Sequence, residues 1–449
     1  MKNNNDKQVV SSKGNKKLVK CIVCGAIFDE DIDICPVCGV GREYFIPYEE
    51  EAVSYKKDTD ESFIILGNGI AGISAAEAIR ERNSTCKITL ISKESVYGYN
   101  RPLLTKTLSS LERVDDILIY DKEWYEQNNI NNILDMKIKK INKEEKSIEF
   151  IDGNTMKYDK CIYALGAKCF IPPFKGADKS GVIAIRDISD VLKVREEMKT
   201  AKNVVVIGGG VLGLEAAWEL SKNAKVTVLE IADKLMVRQL DDMAGEILSN
   251  IITSAGIDFK VNANIIEISG NESVESVKLD TGEEYPAELV IISCGIRANI
   301  NIAKEAGIET NRAIIVNDKM ETNDKYIYAC GDCAEFESIN YGIWPEAMDM
   351  GKIAGANAAG DNIKYSLVAP TLTFEGMNTS LFSAGDNGKN PDLNYKYIEI
   401  FDKNKKQLEK YYFVDDKFIG TILIGDTKKM TTITEALNKK EPFNKFFNK

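Results

Sequence analysis

The chain has 449 residues, 44% apolar and 28% charged, with ten cysteines, no histidine and a net charge of −11 at pH 7. At about 150 residues per domain this is a multidomain protein, and its acidity argues against nucleic acid as the main partner. Without an imidazole, Ser-His and Cys-His nucleophile pairs, His-ligated haem and His-containing zinc sites are excluded, so chemistry must come from a bound cofactor, thiolates, carboxylates or lysines.

Residues 1–17 are polar and basic, with no apolar period, and are expected to be a disordered lead. They have no apolar core or small-residue cleavage site, so no secretory signal is expected. Uncharged stretches such as Val204 to Leu214 are too short to span a bilayer, so no membrane helix is expected. The expected location is the cytoplasm, where cysteines serve metals or redox chemistry more than structural disulfides.

Residues 18–47 carry two C-x-x-C-G knuckles, Cys21-Ile22-Val23-Cys24-Gly25 and Cys35-Pro36-Val37-Cys38-Gly39. Each directs two sulfurs at one ion, and four thiolates give a tetrahedral site for iron or zinc. A segment this short cannot bury enough apolar surface to fold alone, so the metal would supply folding free energy. Eight acids (Asp29, Glu30, Asp31, Asp33, Glu43, Glu49, Glu50 and Glu51) face one arginine, Arg42, between Cys21 and Tyr55. They either steer the segment onto a basic rim of the body or a basic acceptor, or keep a small domain soluble. Residues 48–61 are charged, with no repeating apolar face, and are expected to be a linker with a random-coil reach of roughly 20 Å.

From Ser62 onward, β-branched runs alternate with alanine-rich stretches, the pattern of parallel α/β domains. SFIILGNGIAGISAAEAIRE is echoed by NVVVIGGGVLGLEAAWELSK, with 141 residues between Gly67 and Gly208. Each copy reads as strand, G-x-G-x-x-G turn, helix, second strand and acid, the organisation of a dinucleotide-binding domain. Gly67 and Gly208 allow the tight turn, Gly69 and Gly210 let backbone approach a pyrophosphate, and Gly72 and Gly213 let helix pack on strand. A glycine-rich turn without a ligand is the bland alternative, but the ordered flanking elements favour a nucleotide site. Glu94 and Glu230 stand where a carboxylate accepts hydrogen bonds from a ribose diol; at Glu230 it favours NADH over NADPH. Glu215, just inside the second helix, is either a nicotinamide contact or a first-turn acid favoured by the helix dipole. Two nucleotide sites in one chain suggest that one holds a flavin, which takes hydride from the other's nicotinamide. From about Val368 the sequence alternates like strands and ends in a helix, a small α+β domain.

The body from about Ser62 resembles the two-dinucleotide-binding flavoprotein reductases, most of all NADH:rubredoxin reductases and related ferredoxin and nitrite-reductase flavoproteins. The residues that carry the resemblance are GNGIAG, YNRPLLTK (99–106), YALGAK (163–168), GGGVLGLEAA, RQLD (238–241), IYACGD (327–332), WPEA (344–347) and GTILIGD (420–426). It implies an α/β fold with two Rossmann-like domains, a C-terminal α+β interface domain and the small knuckle domain. The implied division is FAD-binding 62–178 and 298–367, NAD-binding 179–297 and C-terminal 368–449. By the same resemblance Gly67, Gly69, Ile70, Ala71, Gly72 and Glu94 hold the adenosine and diphosphate of FAD, with Arg101 and Lys106 beside diphosphate and isoalloxazine. Ile138, the Ala164-Leu165-Gly166 turn, Gly331, Asp332 and Trp344 complete that site, Leu165 replacing the family's usual threonine. The helix near Pro345 would aim its N-terminus at the flavin's pyrimidine oxygen, where reduced flavin carries negative charge. Active-site cysteines of the flavin disulfide reductases and NADH oxidases have no counterpart here, since Val96-Tyr97-Gly98-Tyr99 occupies that stretch. Cys330 and Cys333 overlay the flavin-binding turn and are not expected to be redox-active.

VKCIVCGAIF and ICPVCGVGREYF resemble the short rubredoxin-like domain of rubrerythrins. Fusion to a flavin reductase favours iron over zinc, since zinc has no redox states. The implied route is NADH to FAD to an iron at Cys21, Cys24, Cys35 and Cys38, then to a separate acceptor of the flavodiiron or rubrerythrin class in oxygen or peroxide defence. The alternatives are an NADH oxidase or ferredoxin-type reductase with a zinc-bound docking module. Oligomeric state is left open.

Overall fold

Two parallel five-stranded sheets organise the protein, seen here in a computed structural model that describes residues 17–23, 25–35, 40–49, 53–110 and 113–446. The first sheet runs Ile327–Ala329, Lys160–Tyr163, Ser62–Leu66, Lys87–Ile91, Ile130–Ile133. Its central strand is buried from Phe63 to Leu66, because helices and connecting layers cover both faces of a parallel sheet and leave no polar side. The second sheet repeats the plan with Val182–Ile183, Leu289–Ile292, Asn203–Ile207, Lys225–Leu229 and Asp258–Lys260. The first sheet is finished by a strand that arrives only at residue 327, so this domain is built from two separated pieces of chain.

Helix Ile70–Arg82 leaves the first sheet and lies against helix Trp344–Ala358. Their backbones nearly touch. A Cβ on Gly351 would sit 2.3 Å from the Ala71 carbonyl oxygen, and one on Gly355 would sit 2.2 Å from that of Ala75. This crossing brings both helix N-termini to one cavity. The carboxy-terminal part is an antiparallel sheet in the order Thr371–Gly376, Thr379–Gly385, Lys417–Ile424, Gln407–Val414, Lys396–Asp402, backed by helix Met430–Asn438.

The amino-terminal segment forms a three-stranded antiparallel sheet, with Leu18–Cys21 between Ile27–Asp29 and Phe45–Tyr48. It does not stand apart. Cys21, Cys35, Val40 and Tyr44 share one buried cluster with Phe382, Phe413, Phe418 and Leu423 of the carboxy-terminal sheet.

The linker reading of 48–61 needs correction. Tyr48 ends a strand, and residues 57–61 are tied down rather than coiled. The Lys57 amide donates to the Arg82 carbonyl at 2.8 Å, Asp58 accepts from the Ser84 amide at 2.7 Å, and Thr59 accepts from the Asn83 side chain at 2.8 Å. Buried Asn83 ends the first helix and holds this segment through its amide, so a random-coil reach does not describe it. The disordered lead (residues 1–16), Cys24, Cys38, Glu50 and Glu51 lie outside the described residues. No helix among the described residues is long and apolar enough to cross a membrane.

Candidate active site

A cavity of about 720 Å³ opens at the carboxyl ends of the first sheet's strands. Its floor is the first glycine turn, which the backbone itself explains. Gly67 has φ +115°, and a Cβ there would lie 2.2 Å from the Ala164 carbonyl oxygen. A Cβ on Gly72 would lie 2.0 Å from the Gly67 carbonyl oxygen, so only glycine lets the helix start this close to the strand. Over Gly69 nothing stands within 4 Å. That open space, beside a helix N-terminus with no side-chain cap, suits a pyrophosphate.

Asn68 supports the same fit. Its side chain is buried on the cavity wall, its carbonyl accepts from Tyr125 at 3.2 Å, and its Nδ2 has no partner within the protein. A buried amide without an acceptor is costly unless a ligand supplies one. Size, glycine floor, open helix terminus and orphaned amide together fit a flavin dinucleotide.

The structure gathers the expected flavin residues around this cavity: Gly67, Gly69, Ile70, Ala71, Glu94, Arg101, Lys106, Ile138, Ala164, Gly166, Asp332 and Trp344 all line it. Gly72 and Gly331 lie behind the wall and shape it; Gly331 has φ +74° and packs against Ala71. Glu94 is held by Arg101 at 2.5 Å and by the Tyr99 hydroxyl at 2.6 Å. Asp332 pairs with Arg186 at 2.9 Å, and Arg186 in turn accepts at its carbonyl from Arg101 at 2.8 Å. Sequence reading missed Arg186, Asn68 and Asn299, whose amide donates to the Leu165 carbonyl at 2.9 Å and fixes that turn. No local pattern marks them, because each acts through a residue far along the chain.

The second helix, Val211–Ser221, presents Val211, Leu212 and Glu215 to the same cavity. Glu215 is 7% exposed, so it is not a solvated first-turn acid. Thr105 donates to it at 2.6 Å and the Lys106 ammonium stands 3.9 Å away. Burial pushes its pKa up; Lys106 and Thr105 oppose this without cancelling it. Gly208, Gly210, Gly213 and Glu230 are not on the cavity wall. They form a second turn of the same construction, with φ +112° at Gly208, a Gly213 Cβ position 2.0 Å from the Gly208 carbonyl oxygen, and open space over Gly210. Glu230 accepts from the Gly209 amide at 2.6 Å and the Ala232 amide at 2.9 Å.

Cys330 and Cys333 are buried, and burial raises both thiols, Cys333 to about 12. A thiolate is disfavoured at either position, as expected for a structural turn.

One further stretch reaches the cavity. Ile22 and Val23, between the first two knuckle cysteines, are part of its wall. The turn around them is formed by the Gly25 amide donating to the Cys21 carbonyl at 2.7 Å, with Gly25 at φ +75°. In the second knuckle the Cys35 amide donates to the Val40 carbonyl at 2.8 Å. Cys21 and Cys35 are both buried, at 0% and 2% exposure. Cys21 and Cys35 are the two cysteines of the expected four-thiolate set that lie among the described residues. Among the described residues, which omit Cys24 and Cys38, no group of three or more ligating side chains converges.

Among the described acids of this segment, Asp31, Asp33, Glu43 and Glu49 are exposed; its contacts with the body include the apolar cluster around Tyr44 and a Lys20–Asp349 pair at 4.0 Å.

Comparison with known proteins agrees with this geometry. Residues 61–351 match the family "Pyridine nucleotide-disulphide oxidoreductase", and residues 370–441 match "Rubredoxin NAD+ reductase C-terminal domain". Over 385 residues the chain is 31% identical to the NADH-rubredoxin oxidoreductase of Clostridium acetobutylicum, covering 85% of this chain and 95% of that one. The crystal structure of NADH:rubredoxin oxidoreductase from that organism superposes with a TM-score of 0.74 at 30% identity, over 86% of this chain and 96% of that one. A nitrite reductase [NAD(P)H] of Bacillus subtilis is 35% identical over 384 residues, 84% of this chain, and the present chain spans only 47% of its length. With its double glycine turn, its cavity and these matches, the chain belongs to the pyridine nucleotide-disulphide oxidoreductase family.

Proposed function

We propose that this protein is an NADH-dependent electron relay in which bound FAD converts a hydride into single electrons for an iron held by Cys21, Cys24, Cys35 and Cys38, which serves a separate redox protein of the flavodiiron or rubrerythrin class. The observation that carries this reading is the shared wall: Ile22 and Val23 of the first knuckle line the cavity that the flavin glycines floor.

The remaining residues support transfer by position rather than by acid–base catalysis. The Trp344–Ala358 helix, uncapped by a side chain at Ile343, brings a positive dipole end to the cavity, where it would favour an anionic reduced ring. Lys106, held near buried Glu215, adds a cation at the same wall. Thr105 and Glu215 orient one another across the two nucleotide domains and would position the nicotinamide. Glu230 favours an unphosphorylated ribose and so NADH over NADPH. The exposed acids of the knuckle, of which Asp33 pairs with Arg42, would meet a basic acceptor or simply keep the segment soluble.

Metal analysis with an anaerobic NADH titration tests the reading. The native protein should carry one iron, be red, and bleach at iron as well as flavin wavelengths. Zinc in the native protein, or iron that stays oxidised while flavin is reduced, rejects the relay and leaves an NADH oxidase or a reductase with a docking module. Cys35→Ser should abolish one-electron output while NADH still reduces the flavin.

A further inference from the structure

The knuckle is fastened as well as adjacent. Gly25 lies against Met348 of the Trp344–Ala358 helix, where a Cβ would sit 2.5 Å from the methionine methyl. The Tyr44 ring is 1% exposed and its hydroxyl donates to the Glu375 carboxylate, with Thr427 Oγ1 at 2.9 Å. Glu375 is held in turn by the Ser380 hydroxyl at 2.8 Å. These contacts come from a helix, a strand and a loop of the body, and they grip both ends of the knuckle segment, at Gly25 and at Tyr44.

We propose that the knuckle is a latched cover on the flavin cavity, with Tyr44 as its bolt, and that it keeps external one-electron protein carriers from the flavin so that output leaves only through the knuckle metal. This rests on the relay reading for the role of the metal. The cover itself rests on the seat of Ile22 and Val23 and on the contacts of Gly25 and Tyr44. In this proposal NADH enters past Val211, Leu212 and Glu215, which the second nucleotide domain contributes to the same cavity wall, and carriers are kept off at Ile22 and Val23. Tyr44→Phe removes the bolt and keeps the ring in the apolar cluster.

The test uses the full chain with FAD bound and zinc in the knuckle, which keeps it folded and makes it redox-silent. A separate soluble rubredoxin is the carrier. Each NADH oxidised to NAD⁺ and a proton reduces two ferric carriers to ferrous, followed by their bleaching. The zinc-loaded native chain should reduce the carrier about tenfold more slowly than zinc-loaded Tyr44→Phe, the factor expected for one hydrogen bond to a charged group. Glu375→Ala should release the cover in the same way. Hydrogen exchange at residues 18–23 and 45–48 should rise in both variants while residues 62–66 stay protected. Equal carrier rates in native and variant chains, or unchanged exchange at the knuckle, overturn the proposal. Because zinc cannot relay electrons, this comparison stands whatever the native metal is. Failure of the iron to bleach in the native protein would sink the relay and leave the cover intact.

Discussion

The two glycine turns are nearly the same object locally and quite different in their surroundings. Both have a left-handed first glycine, a third glycine pressed to 2.0 Å from a carbonyl oxygen, and an open second glycine. The first is walled by segments from residues 101–106, 136–138, 163–168, 298–302, 330–345 and 371–373, and its acid is locked by Arg101 and Tyr99. Near the second, Ile231 is 72% exposed, and among the described residues Glu230 accepts from the local amides of Gly209 and Ala232. In the proposed reading one local design serves a resident cofactor where distant chain closes over it, and an exchanging one where it does not.

The largest effect should come from adding a methyl at the pressed glycines. Gly72→Ala forces an overlap worth about 1–3 kcal/mol in a packed site. It should yield protein that has lost most of its flavin, read from the absorbance ratio after gel filtration. Gly213→Ala should keep its flavin and lose at least about tenfold in kcat/KM for NADH, since only its own site is disturbed. Equal flavin loss in both would erase the distinction between the sites.

The acids should separate next. Glu94→Gln breaks a largely buried ion pair with Arg101 and should cost about 1–3 kcal/mol in urea denaturation. Glu230→Gln should cost less than about 1 kcal/mol and instead relax discrimination between NADH and NADPH by about tenfold. A larger stability loss at Glu230 than at Glu94 would reverse the comparison.

The smallest effect concerns pH at Glu215, where the two domains meet. Its folded pKa is raised, so above the unfolded value of about 4.3 the native state binds more protons than the unfolded one. Stability from this group is present below that value and lost as pH rises through the folded pKa. Glu215→Gln should flatten the urea midpoint across that window, and an unchanged slope would show that Lys106 and Thr105 fully compensate the burial.

Much of the site could be read from the amino acids in order. The two glycine hexads and the acids after each second strand announce themselves by spacing. Other features could not be read this way. Gly351 and Gly355 look like ordinary small helix residues until the crossing with Ala71 and Ala75 is seen. Arg186 becomes a cavity residue only through Asp332, 146 positions away, and Tyr44 becomes a bolt only through Glu375, 331 positions away. The supposed coil at 57–61 misled because its polar side chains bind the end of a helix rather than water.

By itself, then, the sequence determined the turns, because a left-handed first glycine and the approach of Gly72 to Gly67 and of Gly213 to Gly208 are constraints felt within five residues. Only the tertiary structure decided that one turn is roofed and the other exposed, and that the knuckle sits on the roofed one. Those outcomes depend on which distant surfaces bury each other, and no short window of residues carries that information.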